Sequence, residues 1–251
     1  MKDETRPSFF ILHPSAFILM LFVCATPIGN LDDVSLRLLA TLREVVLICA
    51  EDTRHTQRLL ARHEIQTPLT SCHQHTSPAK IQMLAERLAA GEDFALVTNA
   101  GTPGVSDPGP QLVQAAAELN VPVLTIPGPC ALAAALSISG FDAQRFSFLG
   151  FAPRKPGKLR KAVESALQRE ETLVLYESPY RAVALLAAIA QFAPQRPVCV
   201  CRELTKKFEE SLRGTAEEVH GRLAERQQKE KELKGEFVVV VNGEGDKDDE
   251  D

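Results

Sequence analysis

Residues 94–109 read FALVTNAGTPGVSDPG: a short apolar strand, Phe94 to Thr98, running without a break into a loop of glycine, proline and small polar residues. The same grammar recurs at Leu21 to Ala25 followed by Thr26-Pro27-Ile28-Gly29-Asn30, and at Val121 to Ile126 followed by Pro127-Gly128-Pro129-Cys130-Ala131. Val45 to Ala50 reads as a further strand, and Ser35 to Leu42 and Ala79 to Ala90 carry apolar residues at helical spacing, with Ser77-Pro78 as N-cap and first-turn pair. Strands alternating with amphipathic helices predict parallel βαβ units in a doubly wound sheet. Ligands of such sheets bind outside the carboxyl ends of the strands, where these loops lie.

A second half begins near Phe141, after PGPCALAAALSISG. Strands are expected at Arg145 to Gly150, Thr172 to Tyr176, Val198 to Arg202 and Glu236 to Asn242. Helices are expected at Leu159 to Gln168, Tyr180 to Phe192 and, strongly charged, Ala216 to Lys234. The reading is α/β in two domains, residues 20–138 and 139–243. The acidic run 244–251 is expected to be disordered. The apolar stretch Ser8 to Val23 resembles a signal-peptide core, but His13 and Pro14 interrupt it and Leu21 to Ala25 is needed as a strand. Residues 1–19 are therefore expected to be a non-native extension, with Met20 as the natural start.

The 251 residues include 45% hydrophobic and 24% charged residues, which fits globular domains with true cores. A net charge of -5 argues against coating nucleic acid by bulk attraction, though not against a local cationic patch. Cys24, Cys49, Cys72, Cys130, Cys199 and Cys201 lie mostly in apolar runs and include no C-x-x-C pair, which points to reduced core cysteines in a cytoplasmic protein rather than zinc ligands or a disulfide framework.

A single loop of the kind quoted above is usually only a turn. Four of them, counting Tyr176-Glu177-Ser178-Pro179, point to a binding cleft whose bare backbone reads a ligand. Neither phosphate-cradling formula, G-x-G-x-x-G nor G-x-x-x-x-G-K-[ST], is present, so a ligand held by backbone groups and apolar walls, such as an adenine nucleoside, fits better.

Glu51-Asp52-Thr53-Arg54-His55 follows the second strand. Glu51, Asp52 or Glu177 reads either as a general base at the cleft or as part of an ion-paired, loop-fixing constellation. His73 and His75 in SCHQHT offer H-x-H spacing beside Cys72, but without a second ligand cluster no metal site is expected, and they read as substrate contacts or plain surface residues. Arg154, Lys155, Lys158, Arg160 and Lys161 put five cations within eight residues, read either as a solvated turn or as a phosphate-docking patch that Arg202, Lys206 and Lys207 extend.

With these residues in view, the chain from Met20 to about Gly245 resembles the tetrapyrrole methylase superfamily. VCATPIGNLDDVS, ICAEDTRHTQRLL, TNAGTPGVSDPG, IPGPCA, LYESPYR and CRELTKKFEE, in order over more than 180 residues, resemble its branch that methylates a cytidine 2'-hydroxyl in 16S rRNA. The resemblance implies two αβα domains with S-adenosylmethionine bound in a cofactor cleft between them, a homodimer, and the small ribosomal subunit as substrate. It also implies cofactor contacts from Thr26, Pro27, Ile28, Gly29 and Asn30, from Asn99, Ala100, Gly101, Thr102, Val105 and Ser106, from Pro127, Gly128, Pro129, Cys130 and Ala131, and from Tyr176 with Glu177. Arg54, His73 and His75 join the five-cation run as expected RNA contacts. Two departures stand out: the usual Ser-Asp-Ala-Gly-Thr-Pro is Thr98-Asn99-Ala100-Gly101-Thr102-Pro103 here, which removes a carboxylate, and an acidic tail stands where many members carry a small helical domain. The rival readings are a tetrapyrrole-type small-molecule methyltransferase on the same scaffold and a non-catalytic ribosome-assembly factor.

Overall fold

The computed structural model describes residues 20–230 and 233–244; the extension 1–19 and the tail from 245 lie outside the described residues. Among the described residues, ten strands form two five-stranded sheets. In the first, β1 (Leu21–Cys24), β2 (Leu47–Ala50), β3 (Leu69–Ser71), β4 (Phe94–Val97) and β5 (Val123–Ile126) are all parallel, in the order β3-β2-β4-β1-β5. The central strands β2 and β4 are buried at every residue, which is why they read as continuous apolar runs without alternation.

Alternate residues of these strands pack on opposite layers. Leu21, Cys49, Phe94 and Leu96 meet α3 (Pro78–Ala89) and α4 (Pro110–Glu118) on one face. Cys24, Ile48, Ala95 and Val97 meet α1 (Leu36–Glu44) and α2 (Thr53–Arg62) on the other. Helix starts follow the cap chemistry. Ser35 accepts the Leu38 N–H at 3.0 Å, and Ser77 accepts the Lys80 N–H at 3.4 Å with Pro78 at the first helical position. The neighbours β1 and β4 feed helices on opposite faces, so the crevice between their carboxyl ends is the switch point of the sheet.

The second sheet is mixed, in the order β6-β7-β10-β8-β9, from β6 (Phe146–Phe151), β7 (Thr172–Glu177), β8 (Pro197–Arg202), β9 (Glu210–Thr215) and β10 (Phe237–Val241). Only the β6–β7 pair is parallel. Leu173, Leu175, Val198, Val200 and Val239 lie beneath α6 (Pro156–Leu167), α7 (Ala182–Phe192) and α8 (Ala216–Glu230). The opposite face, with Val174, Cys199, Cys201, Val238 and Val240, packs against Ala135 and Leu136 of α5 (Ala131–Ser139) and against Ile28 from the first half. This shared core joins the two sheets. Cys24, Cys49, Cys72, Cys199 and Cys201 are buried in the cores, while Cys130 is half-buried. Among the described residues, no helix is long and apolar enough to cross a membrane.

Candidate functional site

The turn after β1 and the loop after β4 are knitted by a two-bond bridge: Thr26 N–H donates to the Gly101 carbonyl at 2.9 Å, and Gly101 N–H donates to the Thr26 carbonyl at 3.0 Å. The Thr26 hydroxyl adds a bond to the Thr98 carbonyl at 3.1 Å. Gly101 has φ +82, a conformation that strains any residue with a Cβ, and this is the first reason for glycine there. The loop after β5 closes the third side. A Cβ on Gly128 would stand 3.2 Å from both the Cβ and the carbonyl oxygen of Ala25, and the Thr102 hydroxyl donates to the Pro129 carbonyl at 3.3 Å.

These loops and the end of the second sheet enclose a cavity of about 350 Å³. From the first half its walls are Ile28, Ala100, Gly101, Thr102, Val105 and Ser106, with Cys130 and Ala131 at the start of α5. From the second half come Phe151, Tyr176, Leu204 and Val238, among others. Tyr176 fastens the halves together, since its hydroxyl accepts the Leu132 N–H at 2.9 Å and its ring meets Phe148 and Phe151 edge-on at 4.8 and 5.9 Å. Burial pushes its phenol up, so it stays a neutral hydrogen-bonding group.

Several expected cofactor positions are not wall residues. Thr26, Gly128 and Pro129 tie the loops to one another, and Pro127 is likewise not on the wall. Pro27 and Asn99 are also off the wall. Gly29 and Asn30 face a separate open depression with Asp32, Arg62, Lys206 and Lys207, and a Cβ on Gly29 would run into the Lys206 side chain. Asn99 donates its N–H to Glu51 Oε2 at 3.2 Å, while its buried Oδ1 has no hydrogen-bond partner among the described residues.

Of the two readings open for Asp52 and Glu177, general base or loop-fixing group, the contacts favour the second. Asp52 caps α2, its Oδ1 accepting the N–H groups of Arg54 at 2.8 Å and His55 at 3.4 Å. Glu177 does line the cavity, but Oε1 accepts from Ser178 N–H at 2.7 Å and Arg181 Nε at 2.8 Å, and Oε2 from Arg181 at 2.6 Å. Both carboxylates are structural anchors. Arg181 also donates to the Ala152 carbonyl at 2.8 Å, tying β6 to the Ser178-Pro179 stretch of the wall. Glu51 is not a wall residue.

The sequence reading passed over Asp107. It lies on the wall, and among the described residues it forms no hydrogen bond or salt bridge. Burial first, then the charges of Glu51 and Glu236, push its carboxyl from 3.8 up to about 7. The wall's charged groups are Asp107, Glu177 and Glu236, all acidic, with no Lys or Arg among them. That set offers carboxylates to a ligand bearing positive charge and no wall cation to a phosphate.

Arg154 and Arg160 lie along a second, open groove with Pro156, Gly157, Glu177 and Arg181, beside the cavity, and Lys155, Lys158 and Lys161 share that segment. The three cations expected to extend this patch have partners within the chain. Lys206 is paired with Glu203 at 2.8 Å and Glu236 at 3.0 Å, Arg202 with Glu210 at 3.4 Å, and Lys207 lies over the Phe208 ring. Arg54, in the first turn of α2, is not on the cavity wall, and His73 and His75 follow the edge strand β3, away from it. His73 Nδ1 accepts the His75 N–H at 3.1 Å, and among the described residues no group of three His, Cys, Asp or Glu is arranged to hold a metal.

A model of the tetrapyrrole (corrin/porphyrin) methylases matches residues 20–220, and the chain belongs to that family. Within it, the chain is 44% identical over 229 residues to the ribosomal RNA small subunit methyltransferase I of Xylella fastidiosa (strain Temecula1), covering 91% of this chain and 83% of that protein. It is 41% identical over 224 residues to the protein of the same name from Bacillus subtilis (strain 168), covering 89% and 75%. Among solved structures, the methyltransferase CobJ superposes with a TM-score of 0.65 at 19% identity, covering 89% of this chain and 94% of that one. Uroporphyrin-III C-methyltransferase from Thermus thermophilus, complexed with S-adenosyl homocysteine, gives 0.58 at 19% identity, covering 89% and 96%. At such identities these two likenesses show the fold alone.

Proposed function

We propose that this chain methylates the ribose 2'-hydroxyl of a cytidine in 16S rRNA, using S-adenosylmethionine, and that it acts on the small ribosomal subunit as a cytoplasmic homodimer. One observation carries the reading: an acidic, backbone-lined cavity at the switch point of a parallel sheet opens beside a groove flanked by cations. The names of the relatives point to the same substrate.

The residues fit the cofactor. Its sulfonium is cationic, and the cavity's charged groups are all carboxylates. Ala100, Gly101, Thr102 and Ala131 present main chain to an adenosine moiety, with Ile28 and Leu204 as apolar walls. When bound, S-adenosylmethionine supplies an electrophilic methyl group. Arg181 keeps Glu177 and the Ser178-Pro179 wall in place, and Tyr176 fixes the first turn of α5. Arg154, Lys155, Lys158, Arg160 and Lys161 neutralise RNA phosphates next to the cavity, so a nucleotide is held within reach of the donor.

The test supplies labelled S-adenosylmethionine together with small subunits from a strain lacking this gene and, in parallel, with a tetrapyrrole acceptor. Label in 16S rRNA supports the reading. Label in the tetrapyrrole alone makes the chain a small-molecule methyltransferase, and cofactor binding without any transfer makes it an assembly factor.

A further inference from the structure

We propose that Asp107 is the proton acceptor of methyl transfer, its carboxylate taking the hydroxyl proton as the ribose oxygen attacks the methyl carbon. This rests on the ribose-methylation reading above. The balance is complete: the O–H bond breaks and its proton moves to an Asp107 Oδ, and the electron pair left on oxygen forms the O–CH3 bond. The S–CH3 pair returns to sulfur, turning the sulfonium into a neutral thioether. Asp107 then releases the proton to solvent across its partly exposed side, and no further reactant is needed.

The case is made by the partners of each carboxylate. Three lie on the cavity wall. Glu177 is engaged by Arg181 and the Ser178 N–H through both oxygens. Glu236 binds Lys206 at 3.0 Å, and its side chain is 76% exposed. Asp107 is half-buried and has no such partner among the described residues. Outside the wall, Asp52 is occupied as a helix cap and Glu51 holds the Asn99 N–H.

The loop that presents Asp107 is stiff. Ser106 has φ +62, Gly104 φ +84 and Gly109 φ +144, and a Cβ on Gly109 would come 3.2 Å from Leu96 Cδ2. The Val105 N–H donates to the Thr102 carbonyl at 3.2 Å, and Thr102 is tied in turn to Pro129. Positive φ at a non-glycine residue beside a cavity is strain of the sort that persists where the surroundings over-determine it. Such a loop keeps a carboxylate oriented without a bond of its own.

The chemistry suits the role. A base works best when its pKa lies near the operating pH, and burial with Glu51 and Glu236 brings this carboxyl to about 7. The titratable groups around it are Glu51 after β2, Glu236 before β10, Tyr176 and Glu177 at the end of β7, and Cys130 before α5. Arg181 balances Glu177 and Lys206 balances Glu236, which leaves Glu51 as the charge whose removal alters Asp107 most directly.

The test uses the full chain with Asp107→Asn and Glu51→Gln. A carbon-detected titration of the Asp107 carboxyl in unliganded protein should show a midpoint near 7, moving down in Glu51→Gln. Calorimetry should find S-adenosylmethionine binding to Asp107→Asn weakened by less than about tenfold. Single-turnover transfer to small subunits should fall about 10²-fold or more and lose its acidic limb, the size expected for a general base. In Glu51→Gln that limb should move to lower pH with the titration. An ordinary carboxyl midpoint near 4, or a substitution that leaves rate and pH profile unchanged, overturns the proposal. Wild-type protein that transfers nothing to 16S rRNA rejects the substrate reading, and the proposal with it; an active wild type with an equally active Asp107→Asn rejects the proposal alone.

Discussion

Arg181→Ala tests whether the Glu177 ion pair is the anchor of the cavity wall. The substitution removes two bonds to Glu177, of 2.8 and 2.6 Å, and one to the Ala152 carbonyl, of 2.8 Å. It strands a carboxylate whose side chain is only 2% exposed. Removing one member of a buried pair costs about 3–5 kcal/mol, because the remaining charge stays desolvated. Arg181 itself is 27% exposed, so water reaches part of the vacated space and the lower end, about 3 kcal/mol, is expected. For a chain of this size that is a fall in Tm of about 6–12 °C. Glu177→Gln in the Arg181→Ala background removes the stranded charge and should recover about half of the loss. Thermal and urea unfolding of the cofactor-free protein measure both effects, and calorimetry should show weaker S-adenosylmethionine binding, since Ser178 and Pro179 lose their tether. A loss under about 1 kcal/mol, or no recovery in the double variant, would refute the assignment of Glu177 as an anchor.

Gly101→Val puts a β-branched residue at φ +82, with its Cβ 3.5 Å from Ile28 Cγ2, and should abolish measurable cofactor binding while circular dichroism still reports a folded chain. Normal binding would place the cofactor elsewhere. Replacing Arg154, Lys155, Lys158, Arg160 and Lys161 by Ser should flatten the salt dependence of subunit binding by a log–log slope of about 0.7–0.9 per lost phosphate contact, leaving cofactor affinity unchanged; an unaltered slope would make this run a solvated face. Asp107→Asn should also stabilise the protein above neutrality. A carboxyl raised from 3.8 to about 7 on folding favours the native state while protonated, so stability is fully present below pH 3.8 and is lost as pH rises through about 7. The full shift would correspond to about 4 kcal/mol, and screening at this partly exposed site reduces it to about 1–2 kcal/mol. The Tm of the variant should exceed that of wild type at pH 8 and match it near pH 4, and equal values at pH 8 would contradict the shift.

Four of the five strands of the first sheet were legible, because apolar runs stand out and glycine and proline mark several of their carboxyl ends, whereas the short half-buried β3, LTS, was not read. α5 was not, since ALAAALSIS is apolar on nearly every side and has no helical face to read; it is packed against the second sheet next to the cavity. β9 was missed because an edge strand reading ESLRGT shows no apolar alternation. The roles of Asp52 and Glu177 were open to a closer reading, as Asp52-Thr53-Arg54 carries the look of a helix cap and Arg181 follows Glu177 at i+4. Asp107 was not open in that way. Its raised pKa depends on burial by a second sheet closing over the loop and partly on the charge of Glu236, more than 100 residues away, which no local pattern encodes.

The most direct test of the account is the chemical position of the methyl group. Small subunits from a strain lacking the gene are treated with this protein and isotopically labelled S-adenosylmethionine; the 16S rRNA is digested to nucleosides, which are separated by chromatography and fragmented to tell ribose from base label, and to oligonucleotides, which locate the site. The account predicts label confined to 2'-O-methylcytidine at one site, absent when Gly101→Val replaces the wild type. Label on a base, on another nucleoside, or on ribosomal protein would contradict it.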